Sequence, residues 1–134
     1  MGQRVSLDSG AVIAIERRRL PRGEVLSPGD DVAMSMIAVA EFRAGERNAE
    51  PGYRPRMQRF LDQFFADIEL LPYNDAVLEE HVKLLAWTHR HGCPRGQHDL
   101  IIAATCLATD RVLLTVDRRA RFEDLPGLRV RLLG

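Results

Sequence analysis

The chain has 134 residues, 46% hydrophobic and 28% charged, which suits a single domain spanning 1–134 whose core needs no disulfide or structural metal. Its 19 basic and 19 acidic residues cancel, so the basic excess of a bulk nucleic-acid binder is absent, and its two cysteines exclude a disulfide framework. Polar residues interrupt every apolar stretch, so neither a signal peptide nor a membrane span is expected and a reducing cytoplasm is the default location.

In chain order, residues 5–7 read as a short strand. Asp8 or Ser9 then caps a helix over 11–18. Pro21, Gly23, Pro28 and Gly29 mark a loop, followed by a strand at 32–36. A helix over 36–46 comes next, expected to be largely buried because Ile37, Ala40 and Phe42 are apolar. Pro51, Gly52 and Pro55 break the chain before an amphipathic helix at 56–66 that carries Met57, Phe60, Leu61, Phe64 and Phe65. Residues 68–71 form a strand candidate ended by Pro72. Asn74 or Asp75 caps a long helix reaching His91, with Val77, Leu78, Val82, Leu85 and Ala86 expected to face inward. After a loop with Gly92, Pro94 and Gly96, the helix 98–109 is apolar almost all round and therefore central, with Cys106 in the core. A buried strand at 112–115, a turn near 118–122 and a last strand at 128–132 complete the chain. Strands alternating with helices predict an α/β fold, a mostly parallel sheet with helices on both faces, and a ligand site outside the carboxyl ends of the strands.

Four acids stand out in this frame. Asp8 follows the first strand and Asp117 the strand 112–115, where such a site is expected. Glu41 lies within an apolar helix and Asp99 opens another, where an unpaired charge is costly. Each also reads as an ordinary residue: a cap at Asp8 or Asp99, an outward ion pair at Glu41, a turn at Asp117. Together they would repel one another unless protonated or bound to a cation, and oxygen-only ligands favour Mg²⁺ or Mn²⁺. Such a site activates water and stabilises charge on a phosphodiester.

The segments VSLDSGAVIAIERR, AMSMIAVAEFRAGE and GQHDLIIAATCLATDRVLLTVDRRARFEDLPGLRV, in that order, resemble the PIN-domain proteins, and among them the VapC toxins of bacterial toxin–antitoxin pairs. The second segment resembles the family pattern S-x-I-x-x-A-E-x-x-x-G and brings in Ser35, Glu41 and Gly45. The resemblance implies a three-layer α/β/α sandwich and endoribonuclease activity dependent on Mg²⁺ or Mn²⁺. It implies metal ligands drawn from Asp8, Glu41, Asp99 and Asp117, with Ser9 or Thr115 orienting a ligand or water. It also implies a small VapB-like antitoxin as partner, RNA as substrate and a homodimer. The alternative is a PIN domain that binds RNA or a partner without cutting. Two positions depart from the pattern: Gly10 stands where many relatives have Asn, and Arg121 where many have an acidic or polar residue.

Arg118, Arg119 and Arg121 follow Asp117 at once, as either a phosphate-binding rim or a solvated turn. His89 and His91 lack a matching ligand cluster and read as solvent-facing. His98 reads as a surface residue at a helix start, with RNA contact as the alternative. A haloacid-dehalogenase-like phosphatase would need an aspartate at position 10, and a receiver domain would need a lysine after a late strand. Gly10 and the helical Lys83, the only lysine, exclude both.

Overall fold

A computed structural model describes residues 2–134. Five strands carry the fold: β1 (Arg4–Leu7), β2 (Asp31–Ser35), β3 (Glu69–Leu71), β4 (Val112–Thr115) and β5 (Val130–Leu132). They form one sheet in the order β3-β2-β1-β4-β5, and every pairing is parallel. The central register aligns Val5 with Val32 on one side and with Val112 on the other. Helices α1 (Ser9–Glu16), α2 (Arg22–Val25), α3 (Met36–Arg47) and α4 (Arg54–Phe64) connect β1 through β2 to β3, and α5 (Asp75–His91) and α6 (Gln97–Thr109) return the chain to β4. Right-handed crossovers send these two groups to opposite faces, because the sheet is traversed in opposite directions. Burial agrees: successive residues of β1 and β4 point to alternate faces, yet Val5, Ser6, Leu7, Leu113, Leu114 and Thr115 are all buried. The result is the expected α/β/α sandwich.

Local chemistry explains the element starts. Asp8, not Ser9, caps α1, accepting from the Ala11 amide at 2.8 Å. Ser35 caps α3 by accepting from the Ala38 amide at 3.1 Å, and Asn74 caps α5 by accepting from the Val77 amide at 3.1 Å. Gly92 ends α5 in the left-handed conformation, φ +60°. The four-residue α2 lies in what the sequence suggests is only a loop. Between α3 and α4, Phe42, Phe60, Phe64 and Phe65 form one aromatic cluster.

Two expectations about packing fail. Helix α3 is not largely buried: Ala38, Val39 and Phe42 face inward, but Ala40 is exposed. Helix α5 buries Val77 and Leu84, whereas Leu78, Val82 and Leu85 are 43%, 52% and 47% exposed and Ala86 is exposed as well. The helix is rotated so that the stripe at 77 and 84 meets the core, leaving a second apolar stripe outside.

At the amino ends of the strands, Arg111 is 2% exposed. Its Nη1 donates to the carbonyls of Val5 (3.2 Å) and Asp31 (2.8 Å) and to Asp31 Oδ1 (3.0 Å), and its Nη2 donates to Glu69 Oε2 (3.2 Å). One side chain from the start of β4 thus binds β1, β2 and β3. Arg111→Met removes those donors, leaving the buried Val5 carbonyl without this partner and the Asp31 and Glu69 carboxylates to water. The expected loss is about 1.5 kcal/mol in urea unfolding; a loss under about 0.5 kcal/mol would show that the clamp is dispensable.

Candidate active site

The chain leaves β1 toward β2 and leaves β4 toward β5, so connections diverge between these two central strands. Their carboxyl ends open a crevice at that switch point. Asp8 follows β1 there and Asp117 follows β4 two residues after Thr115. Asp99 sits in the first turn of α6, and Glu41 in the middle of α3.

Asp8 is the most buried of the four, 6% exposed. Its Oδ1 caps α1 and its Oδ2 accepts from the Thr115 hydroxyl, so the carboxylate joins the ends of β1 and β4. Burial pushes its pKa up from 3.8 to about 6; Asp117 and Asp99 add to the rise, while Thr115 and the Ala11 amide oppose it. The Asp99 carboxyl is also raised, first by burial and then by Asp117 and Glu41, with His98 and Arg95 opposing. The four acids therefore share one electrostatic neighbourhood.

Each acid is held differently. Ser9 donates to Glu41 Oε1 at 3.4 Å, and His98 Nδ1 lies 3.4 Å from Glu41 Oε2. Asp117 is exposed; its Oδ1 accepts from the amides of Arg119 (2.9 Å) and Ala120 (3.1 Å), and its own amide donates to Thr115 Oγ1 at 3.0 Å. Ser9 thus supports Glu41, while Thr115 supports both Asp8 and Asp117. The donors are carboxylate oxygens throughout, which fits a hard divalent cation, and the raised Asp8 and Asp99 carboxyls would be relieved by one. Among the described residues, however, no group of three His, Cys, Asp or Glu is gathered closely enough to hold a metal ion. The acids ring the mouth without closing on a centre, as repulsion among like charges favours.

Asp99 and Asp117 line a 420 Å³ cavity with Arg95, Arg119, Arg121 and Asp124. Arg118 is exposed but is not part of that wall. A second hollow joins Glu41, His98 and Asp99, meeting the first at Gly96 and Asp99. His98 is therefore exposed, as expected, yet belongs to the mouth. A larger concavity of 740 Å³ lies between α5 and α6 and touches none of the four acids. Two glycines lie beside the acids, and of these Gly96 leaves the space that Asp99 takes. A Cβ on Gly10 would meet Val116 Cγ2 at 3.0 Å and Asp8 Oδ1 at 3.7 Å, and a Cβ on Gly96 would meet Asp99 Oδ2 at 3.0 Å. Sequence reasoning treats Gly96 only as a loop residue and omits Arg95. Of the two thiols, Cys106 is buried, its pKa pushed by burial to about 12, whereas Cys93 is exposed in the cavity wall.

Comparison with known proteins adds lineage to this geometry. The family model for the PIN domain matches residues 5–128. The chain is 25% identical over 125 residues to Ribonuclease VapC of Rickettsia bellii (strain RML369-C), covering 92% of each. Its fold is similar to VapBC2 from Rickettsia felis bound to a promoter DNA fragment, with TM-score 0.85 and 20% identity, covering 97% of this chain and 98% of that one. It is also similar to VapBC-5, a toxin–antitoxin member from Mycobacterium tuberculosis, with TM-score 0.75, 25% identity and 98% of each chain covered.

The raised Asp8 pKa has a testable sign. The folded chain holds this proton up to about pH 6 and the unfolded chain only to 3.8, so without metal the fold is penalised as pH rises through that window. Asp8→Asn should be more stable than wild type in EDTA at pH 7, by at most about 3 kcal/mol. The gap should close toward pH 4 in thermal melts. A gap that stays constant across this range would refute the assignment.

Proposed function

The chain belongs to the PIN-domain family, and from that premise we propose that it is the toxin of a toxin–antitoxin pair, an endoribonuclease dependent on Mg²⁺ or Mn²⁺. The observation that carries the reading is the meeting of Asp8, Asp99, Asp117 and Glu41 around the switch point between β1 and β4. Its biological context rests on similarity to a protein named Ribonuclease VapC and to toxin–antitoxin complexes.

Asp8, Asp99 and Asp117 are the residues that would hold the cation. Glu41 stands at the edge of the set as a water-mediated ligand or a proton acceptor. When bound, the metal supplies a polarised water and neutralises charge developing on the phosphodiester. The protein's own groups do the rest. Thr115 fixes the direction of the Asp8 carboxylate by donating to Oδ2 and fixes the Asp117 backbone by accepting its amide. Ser9 and His98 bracket Glu41 and orient its two oxygens. Arg119 and Arg121, in the wall of the same cavity, are placed to engage phosphate oxygens of an RNA strand.

Two partners follow from this reading. One is a small VapB-like antitoxin, proposed from the complexes that the fold resembles. The other is a second copy of the chain, seated on the exposed stripe Leu78, Val82 and Leu85 of α5. Charge favours that occupant: the first turn of α5 carries Asp75 and its last turn His89, Arg90 and His91. An antiparallel pair of α5 helices centred on Val82 sets Asp75 against the basic last turn twice over, as two-fold symmetry requires.

Purified wild type should cleave a cellular RNA pool with added Mg²⁺ or Mn²⁺, and Asp99→Asn should cleave at least about 100-fold more slowly. Equal cleavage by both would sink the site assignment, and no cleavage by wild type would favour the non-cutting binding domain. In light scattering after size exclusion, wild type should be a dimer and Val82→Arg a monomer of unchanged fold. A monomeric wild type, or a dimeric V82R protein, would remove the α5 interface.

A further inference from the structure

The loop that carries Asp117 onward to Asp124 contains no regular strand or long helix, yet it must present one of the four acids. Its backbone is strained: Arg121 is a non-glycine residue at φ +51°, in the left-handed region. Such conformations persist only where the surroundings enforce them. The enforcing group comes from another loop. Arg95, only 9% exposed at its side chain, donates through Nη1 to the carbonyls of Ala120 and Arg121, the latter at 2.9 Å. Its Nη2 lies 3.6 Å from Asp124 Oδ2, which also pairs with Arg121 Nε at 2.9 Å. Arg95 Nε has no partner, so the guanidinium is buried at some cost for the sake of these contacts.

The next residue faces the other acid. Gly96 packs so closely on Asp99 that an added Cβ would stand 3.0 Å from Oδ2. Two consecutive residues therefore border two carboxylates from different elements. Gly96 sets the clearance of Asp99, and Arg95 grips the backbone directly after the amides that hold Asp117 Oδ1. Both acids and Arg95 share the wall of the 420 Å³ cavity.

We propose that Arg95 is a positioning residue of the acid site: its buried guanidinium clamps residues 117–124 so that Asp117 keeps its place in the cavity wall it shares with Asp99, where the two acids can serve a divalent cation. The clamp acts through backbone carbonyls, so its effect does not depend on the side chains at 120 and 121. This inference rests on the metal reading above for its ligand, though not for the clamp itself.

The test compares Arg95→Met and Arg95→Lys with Arg131→Met, a control that removes a half-buried arginine bonded to the Val25 carbonyl at 2.6 Å, away from the acids. Mn²⁺ affinity is read by calorimetry, and backbone order by NMR on the metal-free proteins. R95M should bind Mn²⁺ at least about 10-fold more weakly than wild type, and order parameters over 117–124 should fall from about 0.85 to below about 0.6. R95K, with a point charge in place of a fork, should lie between. R131M should lower the melting temperature without either change. Wild-type affinity and order in R95M, or in R95K if R95M does not fold, would overturn the clamp. An R131M protein that loses Mn²⁺ affinity as much as R95M would also overturn it, by reducing the effect to general destabilisation. A wild type that binds no Mn²⁺ would instead remove the metal reading and the ligand half of this inference, while the order parameters still decide whether Arg95 holds the loop.

Discussion

The Asp8 carboxylate sits where the two central strands end, and it is asked to be both a structural acceptor and a charge. One oxygen starts α1 by taking the Ala11 amide; the other takes the Thr115 hydroxyl and so couples β1 to β4. Burial and neighbouring acids work against its ionised form. Without these two hydrogen bonds the group would be an unpaired buried carboxylate, and the crevice between the strands would lose its floor. The remaining acids are arranged around a group whose position is already determined by the fold, and Asp117 inherits its own register from the same Thr115 hydroxyl.

The opposite edge of the sheet solves the complementary problem. Parallel strands present aligned backbone groups at each end, and at the amino ends Arg111 supplies donors to carbonyls of β1 and β2 and to carboxylates on β2 and β3. Arg111 is neutralised there by Asp31 and Glu69, and acids and arginines meet again at the carboxyl ends, so a formal net charge of zero conceals dense local charge. Average charge was therefore a poor guide to the local field. An anionic substrate would meet acids and arginines side by side in one cavity, and Arg119 and Arg121 are the nearest sources of attraction.

Three of the acids were legible because each obeys a local rule, while Glu41, in the middle of α3, stood out only as a charge among apolar residues. Asp8 and Asp99 occupy helix-start positions after or before apolar runs, and Asp117 follows a strand, so sequence alone narrowed them to caps, turns or ligands. What lay beyond local rules was less visible. Periodicity in α5 announces an apolar stripe but not which of two adjacent stripes meets the core; Val77 and Leu84 do, and Leu78, Val82 and Leu85 do not. Ala40 illustrates the same limit in α3, since a small apolar residue carries little information about its side. Arg95 left no signal at all, because its partners are carbonyls some 25 residues away, and any sequence supplies carbonyls. Gly96 is legible as a turn residue, but its closeness to Asp99 is a fact of packing. Fold class and the acid set belong to short-range pattern, whereas the grip between loops belongs to tertiary contact.

The contrast between the two thiols gives the molecule a built-in reporter position. Cys106 is sealed in the core with its thiol held protonated, so alkylating reagents have no path to it. Cys93 stands exposed two residues before Arg95, in the wall shared with Asp99 and Asp117. A fluorophore or nitroxide attached to the native chain would therefore go to one place, the rim of the acidic cavity. There it would sense ion entry and strand docking without any engineered cysteine.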